Sequence, residues 1–394
     1  MTDRVSVGRD RTVVQRTPAR ADIRLSVIMP AHRAMEVMPL AVQALEANDL
    51  SRDDWELVVA VDGDSMGRDE DRTAELALEL ADTVIRLPGR PRGPAYARNR
   101  AAEAARGEIL LFVDSDVCVH QDVLRRLLET FDAEPEVAAI FGSYDDRPAA
   151  RTVVSQYRNL LHHFVHQQGG GDAETFWAGC GAIRADVFHE VGMYDEWHFA
   201  RPQIEDIELG RRLRRSGHRI VLDPTLQACH LKRWTLADVL RTDLRHRGVP
   251  WTRLILHEGP SAGGSALNVH PINRLSVIFT WLAFGILPAA PVFRSWWPVA
   301  VSVTLSFTVV LLNFRFFATV WRAAGLKVAL GSIPLHLMFY FSNGLSALSG
   351  AVVYSIVGAP LPPADVAAFE EIGVETWPPL PSRPKDSVWY EHGA

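Results

Sequence analysis

Cysteine is scarce: Cys118, Cys180 and Cys229 are the three in 394 residues, and no two have CxxC spacing. An odd number without paired spacing, in a sequence that opens without an apolar leader, predicts a reduced, cytosolic environment for residues 1 to about 270. Net charge is small as well, −6 at pH 7, and gives no reason to expect a nucleic-acid partner. The positive charge is almost wholly arginine, from which nothing about function follows. No Gly-rich Walker loop and no GxGxxG stands at the end of a β-rich run, which argues against P-loop hydrolysis and against dinucleotide binding. What the chain does have is material: 48% hydrophobic and 22% charged residues over this length suffice for a full catalytic domain and something more.

Charge nearly vanishes after Arg274. The runs LSVIFTWLAFGILPAAPV (275–292), WWPVAVSVTLSFTVVLL (296–312) and VALGSIPLHLMFYFSNGLSALSGAVVYSIVG (328–358) are each near or above the length that crosses a bilayer as a helix. Residues 274–358 are therefore predicted to be a transmembrane domain of about three spans, making the protein multi-pass in the cell membrane. Pro288 and Pro291 would kink the first span or make it re-entrant. Arg315, Arg322 and Lys327, between the second and third runs, place that loop in the cytoplasm, and two crossings back the N-terminal domain with it. Buried helices of a large soluble protein are the alternative. Residues 233–273 read as amphipathic interfacial helices broken at Pro250, on which Arg245, Arg247 and Trp251 either approach a diphosphate or glycan or merely snorkel. Residues 1–24 carry six arginines without periodicity and are expected to be a disordered basic tail that mainly aids solubility, with contact to anionic membrane lipid as the alternative; 359–394 is Pro-rich and expected to be irregular.

Ahead of the apolar region, short β-rich runs (25–29, 55–61, 83–87, 108–113 and 137–142) alternate with helix-compatible segments. The pattern predicts an α/β domain with a mostly parallel, Rossmann-like sheet, whose ligands bind at the carboxyl ends of the strands. Asp62 and Asp64 follow the second run, and Asp114 and Asp116 follow the fourth, so both pairs reach the same rim. Four carboxylates gathered there are costly without a cation, and a hard divalent metal with oxygen ligands compensates them most simply. Solvated turn aspartates capping the next helix are the plainer alternative.

LSVIMPAHR, VVAVDGDS, GPAYARNRAAEAARGEILLFVDSD, WAGCGAIRADVFHEVGMYDE and IEDIELGRRLRRSGHRIVLDPTLQACH, in that order over residues 25–232, resemble the motif series of family 2 glycosyltransferases of the GT-A fold. The resemblance implies roles position by position. Pro30, Ala31 and Asp62 would hold the nucleotide base, with Asp64 in a turn that reads Asp-Gly-Asp-Ser where the family has Asp-Asp-Gly-Ser. Arg98 and Asn99 would line the ribose and diphosphate. Asp114 would contact the ribose and sugar, and Asp116 would bind the metal. Glu205 and Asp206 match the acidic pair at the acceptor site, with Asp206 as general base. That role suits the chemistry, because an acceptor hydroxyl must lose a proton as it attacks the anomeric carbon, whereas a phosphate acceptor needs no base.

His230, near the end of the strand-like HRIVLDP, would complete a Mn²⁺ or Mg²⁺ site in the family pattern, although a histidine there is also compatible with a purely structural role. Trp177 and Gly179 suit stacking on, and close approach to, a sugar of the acceptor, and a plain buried turn explains the glycine equally well. Cys180 has no base beside it in sequence, so a nucleophilic role is not assigned. The expectation is a membrane-associated, metal-dependent, inverting glycosyltransferase that moves a sugar from a UDP- or GDP-linked donor to a lipid-linked or glycan acceptor. A nucleotidyltransferase acting on a sugar phosphate and a catalytically silent membrane scaffold are the alternatives.

Overall fold

The structure is a computed structural model that describes residues 4–7, 11–15, 22–64, 71–259 and 271–359. The chain forms two units, one built from Met1–Ser143 and Gly170–Leu231, the other from Tyr144–Gly169 and Lys232–Pro360.

Among the described residues, the first unit is an eleven-stranded mixed sheet with helices. Its strands are β1 (Arg4–Val7), β2 (Thr12–Gln15), β3 (Leu25–Ala31), β4 (Trp55–Asp64), β5 (Thr83–Pro88), β6 (Ile109–Val113), β7 (Val117–Val119), β8 (Val137–Tyr144), β9 (Gly171–Asp172), β10 (Cys180–Arg184) and β11 (Arg219–His230). They are ordered β1-β2-β5-β4-β3-β6-β10-β8-β11-β7, with β9 beside β11. The parallel character holds for the central β5-β4-β3-β6 block. Those strands read as continuous apolar runs because both of their faces are covered, and all of their residues except Pro30, Gly63, Arg86 and Pro88 are buried. The connections carry α1 (Met38–Glu46), α2 (Thr73–Leu80) and α3 (Pro94–Ala102), so Ala31, Asp64 and Val113 all finish on one rim. Further along, α4 (Val123–Ala133) follows β7, and α6 (Ala185–Glu190) and α7 (Glu205–Arg215) lie between β10 and β11.

Two departures from the sequence reading stand out. The expected disordered tail contains β1 and β2, where β2 pairs antiparallel with the outer strand β5, Thr12 opposite Arg86 and Gln15 opposite Thr83. An open strand edge recruits even a short β-competent stretch such as TVVQ, which is too brief to show periodicity by itself. The sheet is also antiparallel beyond β6 on one side and beyond β5 on the other.

In the second unit, α5 (Val153–Gln167) shares a core with two later helices, α13 (Phe314–Ala324) and α14 (Leu326–Val357), through Tyr157, Leu160, Leu161, Phe316, Val320, Val328 and Ala329. The stretch read as two helices broken at Pro250 is one helical run: α8 (Leu236–Arg241), a π-helical turn over Thr242–Gly248, and α9 (Val249–Glu258). Pro250 lies in the first turn of α9, where a missing N–H and a fixed φ are tolerated.

The three apolar runs do not become three spans. The first yields the 16-residue α10 (Pro271–Ile286) and the short α11 (Ala289–Phe293), the break falling at Pro288. The second yields α12 (Trp297–Leu312), which bends by 69° into α13 across Asn313. Only α14, at 32 residues, is by itself long and apolar enough to cross a bilayer among the described residues, and the bent pair raises the count to two if it is one broken span. A multi-pass topology is thus not supported. All but one residue of the Pro-rich tail from 359 lies outside the described residues.

Candidate functional site

At the end of β4 the bulge between Asp62 and Asp64 splits two carboxylates that a single glycine separates in sequence. Gly63 makes this possible: its φ is +72°, and a Cβ there would come within 2.5 Å of Pro91 Cγ. Asp62 accepts hydrogen bonds from the backbone N–H groups of Arg92 (2.9 Å) and Gly93 (2.7 Å), fastening the β5–α3 loop to the rim. Burial pushes the Asp62 carboxyl above its ordinary range, and the Arg92 and Gly93 N–H groups oppose that shift. Asp64 meets Arg86 of β5 at 2.6 and 3.2 Å, and Arg86 also reaches Glu75 at 3.2 Å. Both aspartates assigned to the donor therefore hold the turn that would face it. Pro30 is half-buried and Ala31 buried at the end of the neighbouring strand β3.

From α3, Arg98 spans two carboxylates: it donates to Asp114 at 2.7 Å and to Glu205 at 3.2 Å. Burial alone would lower the pKa of its guanidinium, but Asp114, Tyr194 and Glu205 outweigh burial and hold it above its ordinary value. Asn99 turns the other way. Its amide donates to the Tyr194 carbonyl (2.9 Å) and to Glu196 (2.7 Å), and its carbonyl accepts from the Tyr194 N–H (2.9 Å). Asn99 thus clamps the segment 194–196 inside the domain.

Asp114 and Asp116 diverge too. Asp114 takes the Arg98 ion pair, while Asp116 faces His230, with Oδ2 3.4 Å from Nε2. Strand register explains the second meeting: in the antiparallel β7–β11 ladder His230 lies opposite Val117, and the Leu231 N–H donates to the Asp116 carbonyl at 2.9 Å. The far end of β11 thereby returns to the tip of β6.

Glu205 and Asp206 open α7, where negative charge is favoured by the helix dipole. Glu205 is buried, and its carboxylate accepts from Arg98 and from the Gln203 N–H at 2.8 Å. Asp206 is half-buried, and its carboxylate accepts from the Ile207 N–H at 2.9 Å. One turn on, Glu208 and Arg212 form a fully buried pair at 2.6 Å that anchors the helix. Trp177 is only 8% exposed, and a Cβ on Gly179 would fall 2.4 Å from its ring, so the close approach the glycine permits is to the indole itself. Cys180 is buried with its thiol pushed up to about 12, which agrees with the absence of a nucleophilic role.

The resemblance extends over residues 177–196, yet the sequence assigns no role to any residue of the segment 192–201. There Glu196, held by Asn99, Arg100 (3.0 Å) and Arg92 (3.7 Å), has its pKa raised by burial against the pull of Arg100 and Asn99. Asp195 and His198 form a second buried pair at 2.7 Å. Backbone atoms of Ala200 and Arg201 lie so near Gly93 that a Cβ there would come within 2.8 Å of them. The only available signal was a concentration of acids and aromatics in MYDEWHF, which periodicity does not interpret.

Among the described residues no group of three or more His, Cys, Asp and Glu side chains is placed to hold a metal ion. Asp116 and His230, 3.4 Å apart, would supply two ligands. Mg²⁺-like cations keep several water positions and are commonly held by one or two protein groups plus phosphate oxygens. The donor set fits a cation that arrives with a diphosphate.

The family model for glycosyl transferase family 2 matches residues 26–192, from β3 to the turn after α6. The domain is a family 2 glycosyltransferase domain. Beyond the matched stretch, α7 and β11 complete the same unit. Among curated relatives, the glucosyl-dolichyl phosphate glucuronosyltransferase of Haloferax volcanii is 28% identical over 147 residues, 36% of this chain and 46% of that protein. Glycosyltransferase AglD of the same organism is 29% identical over 233 residues, 53% of this chain and 34% of that protein. The match thus spans less than half the length of each of these two relatives. Among solved structures, the mannosyltransferase PcManGT from Pyrobaculum calidifontis, in complex with GDP-Man and Mn²⁺, has a TM-score of 0.51 at 18% identity, covering 83% of this chain and 88% of that one. The family 2 domain therefore has the GT-A fold.

Proposed function

We propose that the protein is a membrane-associated, inverting glycosyltransferase that passes a sugar from a UDP- or GDP-linked donor to a lipid-linked acceptor. The observation that carries this reading is the divided rim: Asp114 is bound to Arg98, whereas Asp116 faces His230 at 3.4 Å. One aspartate is engaged by an arginine, and the other lies beside an imidazole, a carboxylate–imidazole pair of the kind that suits a divalent cation. Asp116 and His230 would hold that divalent cation, which would neutralise the charge of the leaving diphosphate. Asp206, at the mouth of α7, takes the proton of an acceptor hydroxyl, and with a phosphate acceptor it orients the acceptor only. Glu205, already engaged by Arg98, acts by fixing the guanidinium. A lipid-linked acceptor is supported by α14 and by the dolichyl phosphate in the name of one relative. Arg315 and Arg322 precede α14 and Lys327 lies in its first turn, favouring a cytoplasmic position for that end and for the catalytic domain.

The test is nucleoside diphosphate release by the detergent-solubilised full chain with Mn²⁺, a panel of UDP- and GDP-sugars, and polyprenyl phosphates or glycans as acceptors. Donor-specific release that depends on the acceptor, and that falls by about 100-fold or more in Asp116→Asn, is expected. Inorganic diphosphate release from a nucleoside triphosphate, with nucleotide sugars untouched, would make the protein a nucleotidyltransferase instead.

A further inference from the structure

Two of the three cysteines meet across strands. In the β7–β11 ladder Cys118 lies directly opposite Cys229, with Val119 opposite Ala228 on one side and Val117 opposite His230 on the other. The type of pair follows from the flanking hydrogen bonds. His120 N–H donates to the Gln227 carbonyl and Leu231 N–H to the Asp116 carbonyl, each at 2.9 Å between directly opposed residues. Hydrogen-bonded and non-hydrogen-bonded pairs alternate along an antiparallel ladder, so Cys118 and Cys229, midway between two hydrogen-bonded pairs, form a third. Such pairs hold their Cα atoms about 5.5 Å apart and project their side chains from one face. That Cα spacing falls within the range of about 4.4–6.8 Å found in disulfides, while the Cβ atoms of such a pair, about 4.5–5.5 Å apart, must draw in toward about 3.5–4.5 Å, a strain that leaves the bond readily reducible. Both residues are half-buried thiols, and β7 is the last strand of the sheet, so small oxidants can reach them. Cys180, by contrast, is buried in the interior with its thiol raised to about 12.

We propose that Cys118 and Cys229 are an oxidative modification site, forming a reversible intramolecular disulfide across the β7–β11 ladder. Two S–H bonds break and one S–S bond forms, and the two protons and two electrons released carry one molecule of hydrogen peroxide to two of water. A thiol reductant reverses the step by thiol–disulfide exchange. Position gives the bond its consequence. Cys118 is two residues from Asp116 and Cys229 adjoins His230, so a covalent tie between them fixes the ladder that sets the spacing of that pair. This consequence rests on the transferase reading, whereas the disulfide itself does not.

The experiment treats the detergent-solubilised full chain, free of added metal, with hydrogen peroxide. Thiols are then counted under denaturing conditions, and tryptic peptides are mapped by mass spectrometry. Oxidised protein is expected to lose two of its three thiols and to yield a 118–229 linked peptide lighter by two hydrogens. Reductant should restore all three. Cys118→Ser and Cys229→Ser should each keep their two remaining thiols under the same treatment. Retention of all three thiols, loss of all three, or intermolecular dimers in place of the internal bond would overturn the proposal. Nucleoside diphosphate release, measured in parallel, is expected to drop on oxidation and return with reductant; unchanged release alongside a formed disulfide removes the regulatory consequence and leaves the modification site.

Discussion

At Arg98 one guanidinium serves two carboxylates that come from distant parts of the chain, Asp114 after β6 and Glu205 at the start of α7. A planar fork with several donors can satisfy both at once, and a lysine ammonium cannot reproduce that geometry. Removing the fork leaves Glu205 as an unpaired charge with 7% side-chain exposure. Arg98→Ala is therefore expected to cost about 3 kcal/mol of stability, in line with removing one partner of a buried pair. Arg98→Lys should cost less but should still slow turnover, because Asp114 and the head of α7 would no longer be held by one rigid group. Denaturant unfolding followed by donor hydrolysis measures both effects. Equal stability of Arg98→Ala and the unaltered protein would show that the bridge is not formed in solution.

At the scale of elements, the bulge in β4 determines where the two aspartates go. Gly63 carries two independent demands, a positive φ and contact with Pro91, while Gly89 carries only the first, with φ +96° and open space around its Cβ position. Gly89→Ala should then cost about 1–2 kcal/mol for the left-handed backbone alone. Gly63→Ala should cost about 1–3 kcal/mol more for overpacking, and should raise the donor KM as the 92–93 loop loses its hold on Asp62. Thermal unfolding of the two variants side by side decides the point, and equal losses would remove the packing argument.

The same bulge shows what was legible in the sequence. The apolar runs of β3, β4 and β6 mark a buried sheet, and their acidic ends mark its rim, because burial on both faces and the break from it are local signals. Hydrogen-bond partners are not local. Asp64 turning to Arg86, Asn99 turning to Tyr194, and β2 joining the edge of β5 each depend on a strand neighbour that composition does not name. His230 was reached only through the resemblance, since its approach to Asp116 is set by the β7–β11 register.

For the whole molecule, the question is what covers the apolar surface of the later helices. Val292, Trp296, Val303, Phe307 and Ile356 are each more than half exposed, and only 22% of the apolar window of α14 is buried. Apolar side chains exposed in this number are covered by lipid or by protein, and a 32-residue helix without acidic residues is long enough to cross about 30 Å of hydrocarbon even when tilted. The full chain is thus expected to sediment with membranes, to resist alkaline extraction and to be released by detergent. Leu348, exposed on α14, separates the two kinds of cover. In a bilayer, Leu348→Arg opposes insertion by about 3 kcal/mol, whereas on a water-facing helix the same change is nearly neutral or favours solubility. Extraction of Leu348→Arg by alkali, with the unaltered chain retained, supports a lipid-facing helix. Recovery of the unaltered chain in the soluble fraction without detergent would sink the membrane reading and leave the apolar face to a second protein.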